Sequence, residues 1–425
     1  MTTDTIFALS SGALPAAIAI VRLSGPLAEQ AVAILAGSLP EPRRAAVRRL
    51  TAADRALIDE VLVILFPAPN TATGEPLVEL HLHGGRAVVA RCLAELAAIP
   101  GLREAEPGEF TRRAMLNGRL DLTQAEGLAD LLSAETEWQR RAAVESAGGG
   151  LRRQIEAWRE RLVILSARAE AAIDYVGDED ETNLDLDALV VEASALRAEW
   201  QDWLAQPPSE LVHNGLAVVL AGPPNSGKSS LFNALVGRDK AIVTPIAGTT
   251  RDVLEARIDL GGIPLMLQDT AGLHETEDAV EQIGVDRAQQ AITSADILLW
   301  LGDPDDAPAG DNILKVHARS DERGAAPDES IPTSVYVPNG TDALRAAILA
   351  EAKALLPPPD RLSLNRRQRA LIGEAVDSLA TTVAHDLVIV AECLRSALNA
   401  LDNMTGHQST EDVLDALFGR FCLGK

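Results

Sequence analysis

The sequence predicts a multidomain fold of mixed class, in which an α+β domain comes first and an α/β domain is inserted into a helical one. Three observations carry that expectation. The chain has 425 residues, 47% of them hydrophobic, which is more than a single core usually holds, so two or three domains are expected. The hydrophobic period changes along the chain, from mixed, to helical, to alternating strand and helix, and back to helical. An apolar run, "LAVVLAG", leads directly into "GPPNSGKSS" and an amphipathic pattern, the order strand, glycine-rich loop, helix.

Over residues 1–118, short alternating runs ("IFALSS", "AAIAIVRLSG", "VLVILFPA", "LVELHLHGG") interleave with helical stretches ("PLAEQAVAILAG", "RAVVARCLAELAAI"), as in an α+β domain. Good helix formers with heptad-like apolar spacing then dominate "LDLTQAEGLADLLSAETEWQRRAAVESA" and "LRRQIEAWRERLVILSARAEAAIDYV". Gly148, Gly149 and Gly150 mark a break or a close packing point there, and the acidic "GDEDETNLD" is expected to be a turn before a helix ending near Trp203. Pro207 and Pro208 change the texture. Strand and helix patterns alternate over 211–357 ("LAVVLAG", "ARIDLGGIPLMLQD", "ADILLWLG", "NILKVHA", "PTSVYVP"), predicting a largely parallel, doubly wound sheet. "LLPPPD" ends it, and 358–425 reads as helical again. The economical arrangement pairs residues 119–210 with 358–425 as one helical domain, with 211–357 inserted between them. No internal repeat is visible.

The formal net charge of -24 gives a surface that repels phosphate backbones, so tight unassisted binding to bulk nucleic acid is disfavoured. Cys92, Cys393 and Cys422 lack metal-ligand spacing, which argues against a disulfide framework or a zinc site and fits a reducing cytosol. With no basic-then-apolar amino terminus and no apolar run of membrane-spanning length, a cytoplasmic protein is expected.

"GPPNSGKS", Gly222 to Ser229, fits G-x-x-x-x-G-K-[ST]. Its glycines let backbone N–H groups curl around phosphates, Lys228 neutralises the outer ones, and the Ser229 hydroxyl is placed for magnesium. Asn225, Ser226, Gly227 and Ser230 complete the loop's nucleotide set. Downstream stand "IAGTTRD", with Thr249 and Thr250, and "LQDTAG", with Asp269, Thr270, Ala271 and Gly272. An Asp at a strand's end can hold magnesium through water, and a loop Thr can complete the metal shell while sensing the γ-phosphate. In this order the motifs point to a Ras-like P-loop GTPase domain of the switch type.

After "DTAG" comes Leu273, which cannot polarise water, so hydrolytic power has to come from elsewhere. Two sources suit the residues. One is a monovalent cation held by Asn225 and loop carbonyls around Thr244 and Ile246; the other is an acid such as Glu281, although on residue type alone a glutamate there is more often a solvated surface charge. For the base, the chain offers His317-Ala318-Arg319-Ser320-Asp321 where [NT]-K-x-D is usual. Asp321 keeps the two acceptor contacts that distinguish guanine, and the stem of Arg319 covers the base. Ala318 supplies no polar group.

With these residues in view, the whole chain resembles the MnmE (TrmE) family, GTPases that modify the wobble uridine of tRNA. "PGEFTRRAMLNGRLDLTQAE" (Pro107 to Glu126), "LVELHLHGG" (Leu77 to Gly85) and "FCLGK" (Phe421 to Lys425) look like family signatures that generic phosphate-loop proteins lack. The resemblance implies a folate-binding α+β amino-terminal domain that forms the homodimer. Folate contacts would fall on Arg22, Glu79, Arg119 and Lys425; the family usually has lysine where Arg119 stands. It also implies potassium at Asn225, Thr244, Ile246 and Thr249, magnesium at Ser229 and Thr250, and Glu281 orienting the water. His274 occupies a position where relatives often carry arginine. Cys422, without a His or acid partner in sequence, reads as a packed thiol.

The implied cofactors are GTP, magnesium, potassium and 5,10-methylene-tetrahydrofolate, with 5-formyl-tetrahydrofolate as its analogue. The implied partners are an FAD-binding subunit of the MnmG type, forming a heterotetramer, and tRNA held largely through that subunit, with no membrane. Two other classes fit parts of the chain. A regulatory GTPase in RNA or ribosome assembly would use "GPPNSGKSS" and "DTAG" but neither "FCLGK" nor "PGEF". A scaffold with a decayed nucleotide site would explain "HARSD" but not the retained Lys228, Ser229, Thr250 and Asp269.

Overall fold

The computed structural model describes residues 4–174, 186–238, 240–241, 254–270, 289–380, 386–406, 417–419, 421 and 424. The chain divides into two compact units, Met1–Ala129 with Asp402–Lys425, and Asp130–Leu401.

The first unit is built on a six-stranded sheet of β1 (Thr5–Leu9), β2 (Ile18–Ser24), β3 (Ala46–Thr51), β4 (Leu57–Phe66), β5 (Leu77–His83) and β6 (Leu102–Glu104), in the order β3-β4-β5-β2-β1-β6. All neighbours are antiparallel except β1 and β6. Period-two alternation puts Val21, Leu23, Val63, Leu80 and Leu82 on one face. There they pack with Val32 and Leu35 of α1 (Ala28–Ala36) and with Val89 and Leu96 of α2 (Arg86–Ala97). On the other face Ile6 and Ala8 bury Phe110 of α3 (Glu109–Leu116).

The "PGEF" turn requires its glycine. Gly108 has φ +72°, and a Cβ there would lie 2.6 Å from the Phe418 carbonyl oxygen. Phe418 and Phe421 pack with Leu122 and Ala125 of α4 (Leu122–Ser133), so two of the quoted signatures meet in one small core.

The helical region expected after Leu120 consists of several separate helices. α4 stops at Ser133, and α5 (Glu137–Ala147) restarts on a capping box: the Thr136 hydroxyl accepts from the Gln139 N–H, and Gln139 Oε1 accepts from the Thr136 N–H. The glycine run separates α5 from α6 (Gly150–Asp174). α6 and α7 (Leu186–Leu204) meet at buried Trp158 and Trp200, whose rings stand edge to face at 6.1 Å. The Trp158 indole donates to Glu199 at 2.7 Å. After the short α8 (Glu210–Asn214), the second sheet comprises β7 (Leu216–Ala221), β8 (Lys240–Ala241), β9 (Leu254–Leu260), β10 (Ile263–Asp269), β11 (Ile297–Trp300), β12 (Ile313–Ala318) and β13 (Ile331–Thr333).

The order is β13-β12-β11-β7-β10-β9-β8, parallel from β13 to β10 and antiparallel at β9 and β8. "ARIDLGGIPLMLQD" is thus a hairpin turning at Gly261 and Gly262. "PTSVYVP" is strand only as far as Thr333, because Ser334 leaves the ladder and its N–H turns to the Gly340 carbonyl at 2.9 Å. One face is covered by α9 (Lys228–Arg238) and α10 (Asp342–Leu355), through Leu231, Leu235, Leu344 and Ile348. α11 (Arg366–Ala380) and α12 (Leu387–Thr405) follow. α7 and α11, on either side of the sheet region in sequence, pack together, and Arg197 donates to the Val376 carbonyl at 3.1 Å.

The first turn of α5 holds three parts of the sheet module at once. The Trp138 N–H donates to the Gly262 carbonyl at the hairpin tip (3.0 Å), its indole donates to the Pro357 carbonyl (3.3 Å), and Gln139 Nε2 donates to the His213 carbonyl (3.0 Å). Thr136→Ala removes the cap that starts this turn and is expected to cost about 1 kcal/mol. Denaturant unfolding should show a lower midpoint with an unchanged slope.

Candidate functional site

The loop between β7 and α9 is shaped by three residues with positive φ: Gly222 (146°), Asn225 (59°) and Gly227 (103°). Gly222 passes so close to Leu301 and Gly302 that a Cβ would lie 3.1 Å from the Gly302 nitrogen. The chain can therefore turn back over the end of the sheet and start α9 at Lys228, presenting the helix amino terminus to an anion. Lys228 is only 6% exposed. Its ammonium donates to the Gly222 and Pro223 carbonyls, both at 2.9 Å. Burial, partly offset by the charge of Asp269, pushes it below the ordinary lysine range.

Asp269 ends β10 opposite Leu220 of β7 and is fully buried. Thr270 is braced beside it, its hydroxyl donating to the Leu220 carbonyl at 2.8 Å. The Ser226 hydroxyl is buried with no protein partner among the described residues, the kind of group a bound polar ligand satisfies. Ser229 and Ser230 follow on the exposed side of the first turn. Lys228 and Asp269 thus lie near the carboxyl ends of the parallel strands β7 and β10. Thr244, Ile246, Thr249, Thr250, Ala271, Gly272 and Glu281 lie outside the described residues, as do Leu273 and His274.

A small pocket opens beside the loop, bounded by Gly227, Ser230, Leu231, Ala318, Arg319, Thr333, Val335 and Tyr336. Arg319 takes a positive φ of 56°, and its carbonyl accepts from the N–H groups of Glu322 and Arg323, closing a turn in which Asp321 is exposed. Val335 and Tyr336 are pocket residues that sequence reasoning missed, because "SVYV" has a strand's alternation.

In the first unit β2 and β5 set Arg22 directly opposite Glu79. The guanidinium donates to Glu79 Oε1 from Nη2 at 2.9 Å and from Nε at 3.2 Å, and lies over the Phe110 ring at 5.9 Å. His81, two residues along on the same face, reaches the other Glu79 oxygen at 3.3 Å. It too was missed, although period-two spacing from Glu79 would have found it. Arg119 is exposed, its stem against Gly74, and among the described residues it makes no contact with the Arg22–Glu79 pair. Lys425 and Cys422 lie outside the described residues, but Gly424 is fixed by the Ser10 hydroxyl, which donates to its carbonyl at 2.8 Å. Cys92 is a packing residue: burial, with the charges of Asp59 and Glu95, pushes its thiol up to about 12.

Both parts of the chain match known families. Residues 122–422 match the model described as "MnmE helical domain", and residues 5–119 match "GTP-binding protein TrmE N-terminus". The chain belongs to the MnmE family of tRNA modification GTPases. Among MnmE relatives, the "tRNA modification GTPase MnmE" of Erythrobacter litoralis is 52% identical over 99% of this chain and 100% of its own length. Its counterpart in Rhizorhabdus wittichii is 54% identical over 100% of this chain and 97% of its own. That of Zymomonas mobilis is 49% identical over 99% and 100%. No helix among the described residues is long and apolar enough to cross a membrane.

Proposed function

We propose that this MnmE-family chain uses GTP hydrolysis to time the modification of C5 of the wobble uridine in certain tRNAs. The group added is aminomethyl or carboxymethylaminomethyl, its carbon drawn from 5,10-methylene-tetrahydrofolate. The observation carrying the reading is the gathering of buried Lys228, Ser229 and buried Asp269 where β7 and β10 end. The loop's three positive-φ residues and the unpartnered Ser226 hydroxyl suit a triphosphate. Bound there, GTP and magnesium supply the scissile phosphoanhydride and its charge neutralisation.

This chain's residues bind and orient. Lys228 sits on the outer phosphates, Ser229 and Thr250 would hold magnesium, and Asn225 with Thr244, Ile246 and Thr249 would hold potassium. Glu281 would orient water in place of the side chain that Leu273 lacks, and Asp321 would read the base. On the other unit, Glu79, held by Arg22 and His81, is chemically suited to the amide and amine edge of a pterin, and Arg119 and Lys425 to a glutamate tail. In this reading residues 1–118 form the folate domain, 119–210 with 358–425 the helical domain, and 211–357 the GTPase domain. The protein works in the cytoplasm as a homodimer, joined to an FAD-binding MnmG-type subunit that carries most of the tRNA affinity.

Phosphate release followed with GTP and ATP, each in potassium and in sodium, tests the proposal. Turnover is expected on GTP and to be faster in potassium. Equal rates on the two nucleotides would end the guanine assignment, and indifference to the alkali ion would end the potassium site.

A further inference from the structure

The pocket beside the phosphate loop is poorly equipped to hold a base by hydrogen bonds. Gly227, Leu231, Ala318 and Val335 of its lining carry no polar side-chain atom, which leaves Ser230, Arg319, Thr333 and Tyr336 as its polar side chains. Ala318 is buried, and its methyl group lies 3.8 Å from where a Cβ on Gly227 would be, so no side-chain donor or acceptor arises there. The Thr333 hydroxyl donates to the Ile331 carbonyl at 3.2 Å. At the rim stands Tyr336, 72% exposed, a large flat side chain left in water at the mouth of a pocket.

The Tyr336 loop is closed upon itself. Ser334 N–H donates to the Gly340 carbonyl (2.9 Å), Gly340 N–H to the Val337 carbonyl (3.0 Å), and Tyr336 N–H to the Ser334 hydroxyl (3.2 Å). A Cβ on Gly340 would collide with the Ser334 carbonyl, so the ring closes only around glycine. An exposed aromatic on such a loop is pre-organised, and little ordering entropy is lost when something flat settles on it.

We propose that Tyr336, which shares the lining of the pocket with Arg319, is the stacking wall of the base pocket, and that this contact replaces the hold on the purine that residue 318 does not supply. The inference rests on the reading of the site as one for GTP. Stacking is indifferent to the edge groups of a base, so affinity comes from Tyr336 and discrimination is left to Asp321.

Titration calorimetry on the full chain with magnesium tests this, using GDP, inosine diphosphate and inorganic tripolyphosphate as probes of wild type, Tyr336→Ala and Tyr336→Phe. Tyr336→Ala is expected to weaken GDP and inosine diphosphate by the same factor, about tenfold, and to leave tripolyphosphate unchanged. Tyr336→Phe should stay within about twofold of wild type, since the ring and not the hydroxyl does the work. Undiminished GDP binding by Tyr336→Ala would overturn the proposal and leave the GTP reading standing. Parallel weakening of tripolyphosphate would overturn it too, because the loop would then be supporting the phosphate site. Wild-type protein that binds tripolyphosphate but not GDP would sink both readings.

Discussion

Lys228→Met is expected to lower the maximal rate of phosphate release from GTP by about two to three orders of magnitude. The ammonium of Lys228 has three donors, and two are spent on the Gly222 and Pro223 carbonyls that hold the loop in its turn. The third remains for phosphate, from a position where burial has already removed the competing water. Methionine fills the same channel as the lysine stem, so the substitution deletes charge and donors at little cost in packing. Lys228→Arg is not a rescue, because a planar fork cannot reproduce a point charge between two carbonyl oxygens. Rates measured at saturating GTP, beside melting temperatures matching wild type, distinguish a chemical defect from an unfolded one. Retained turnover in Lys228→Met would remove the loop from the mechanism.

Arg113→Met produces the largest loss of stability expected in the first unit. Arg113 is 2% exposed and donates to Asp4 Oδ1 (3.0 Å), Glu75 Oε2 (3.1 Å), Glu109 Oε1 (3.0 Å) and the Asp4 carbonyl (3.0 Å). Removing it takes this guanidinium from Glu75, Asp4 and Glu109 while Arg103 stays paired with the last two, a change that costs about 3 kcal/mol. The melting transition of this unit should fall by about 10 °C.

The pH dependence provides an independent check. Burial by itself raises the Glu109 carboxyl, but hydrogen bonds from Arg103, the Glu106 N–H and Arg113 outweigh it and hold the group below its ordinary value of 4.5. A depressed folded pKa stabilises the fold above pH 4.5 and loses that contribution as pH falls through the lowered value. Wild type should therefore lose stability on acidification through that window, and Arg113→Met should lose less. A variant that melts like wild type at neutral pH would show the cluster to be energetically idle.

Features that depend on neighbours in sequence were legible, and features made by distant strands were not. The phosphate loop, its strand and its helix follow from local period and glycine spacing. β3 escaped notice because an edge strand tolerates outward charges, and "AVRRLT" shows Arg48 and Arg49 where alternation would want contrast. Arg113 sits in the quoted "PGEFTRRA", where an arginine in a helix reads as a solvated face. Only the tertiary fold, which brings Asp4 and Glu75 against it, reveals a buried charge. The Arg22–Glu79 pair was named from family resemblance, but its ion-paired geometry needed the register between strands 57 residues apart. Tyr336 was overlooked for the opposite reason: it has a strand's spacing, and only its position shows that it lines a pocket.

The seat of α5 has a mechanical corollary. The hairpin it grips stands in sequence between Thr250 and Gly272, and the same helical turn fastens the points where the chain enters and leaves the sheet module. The Gly262, Pro357 and His213 carbonyls, far apart in sequence, therefore share one short anchor in Trp138 and Gln139.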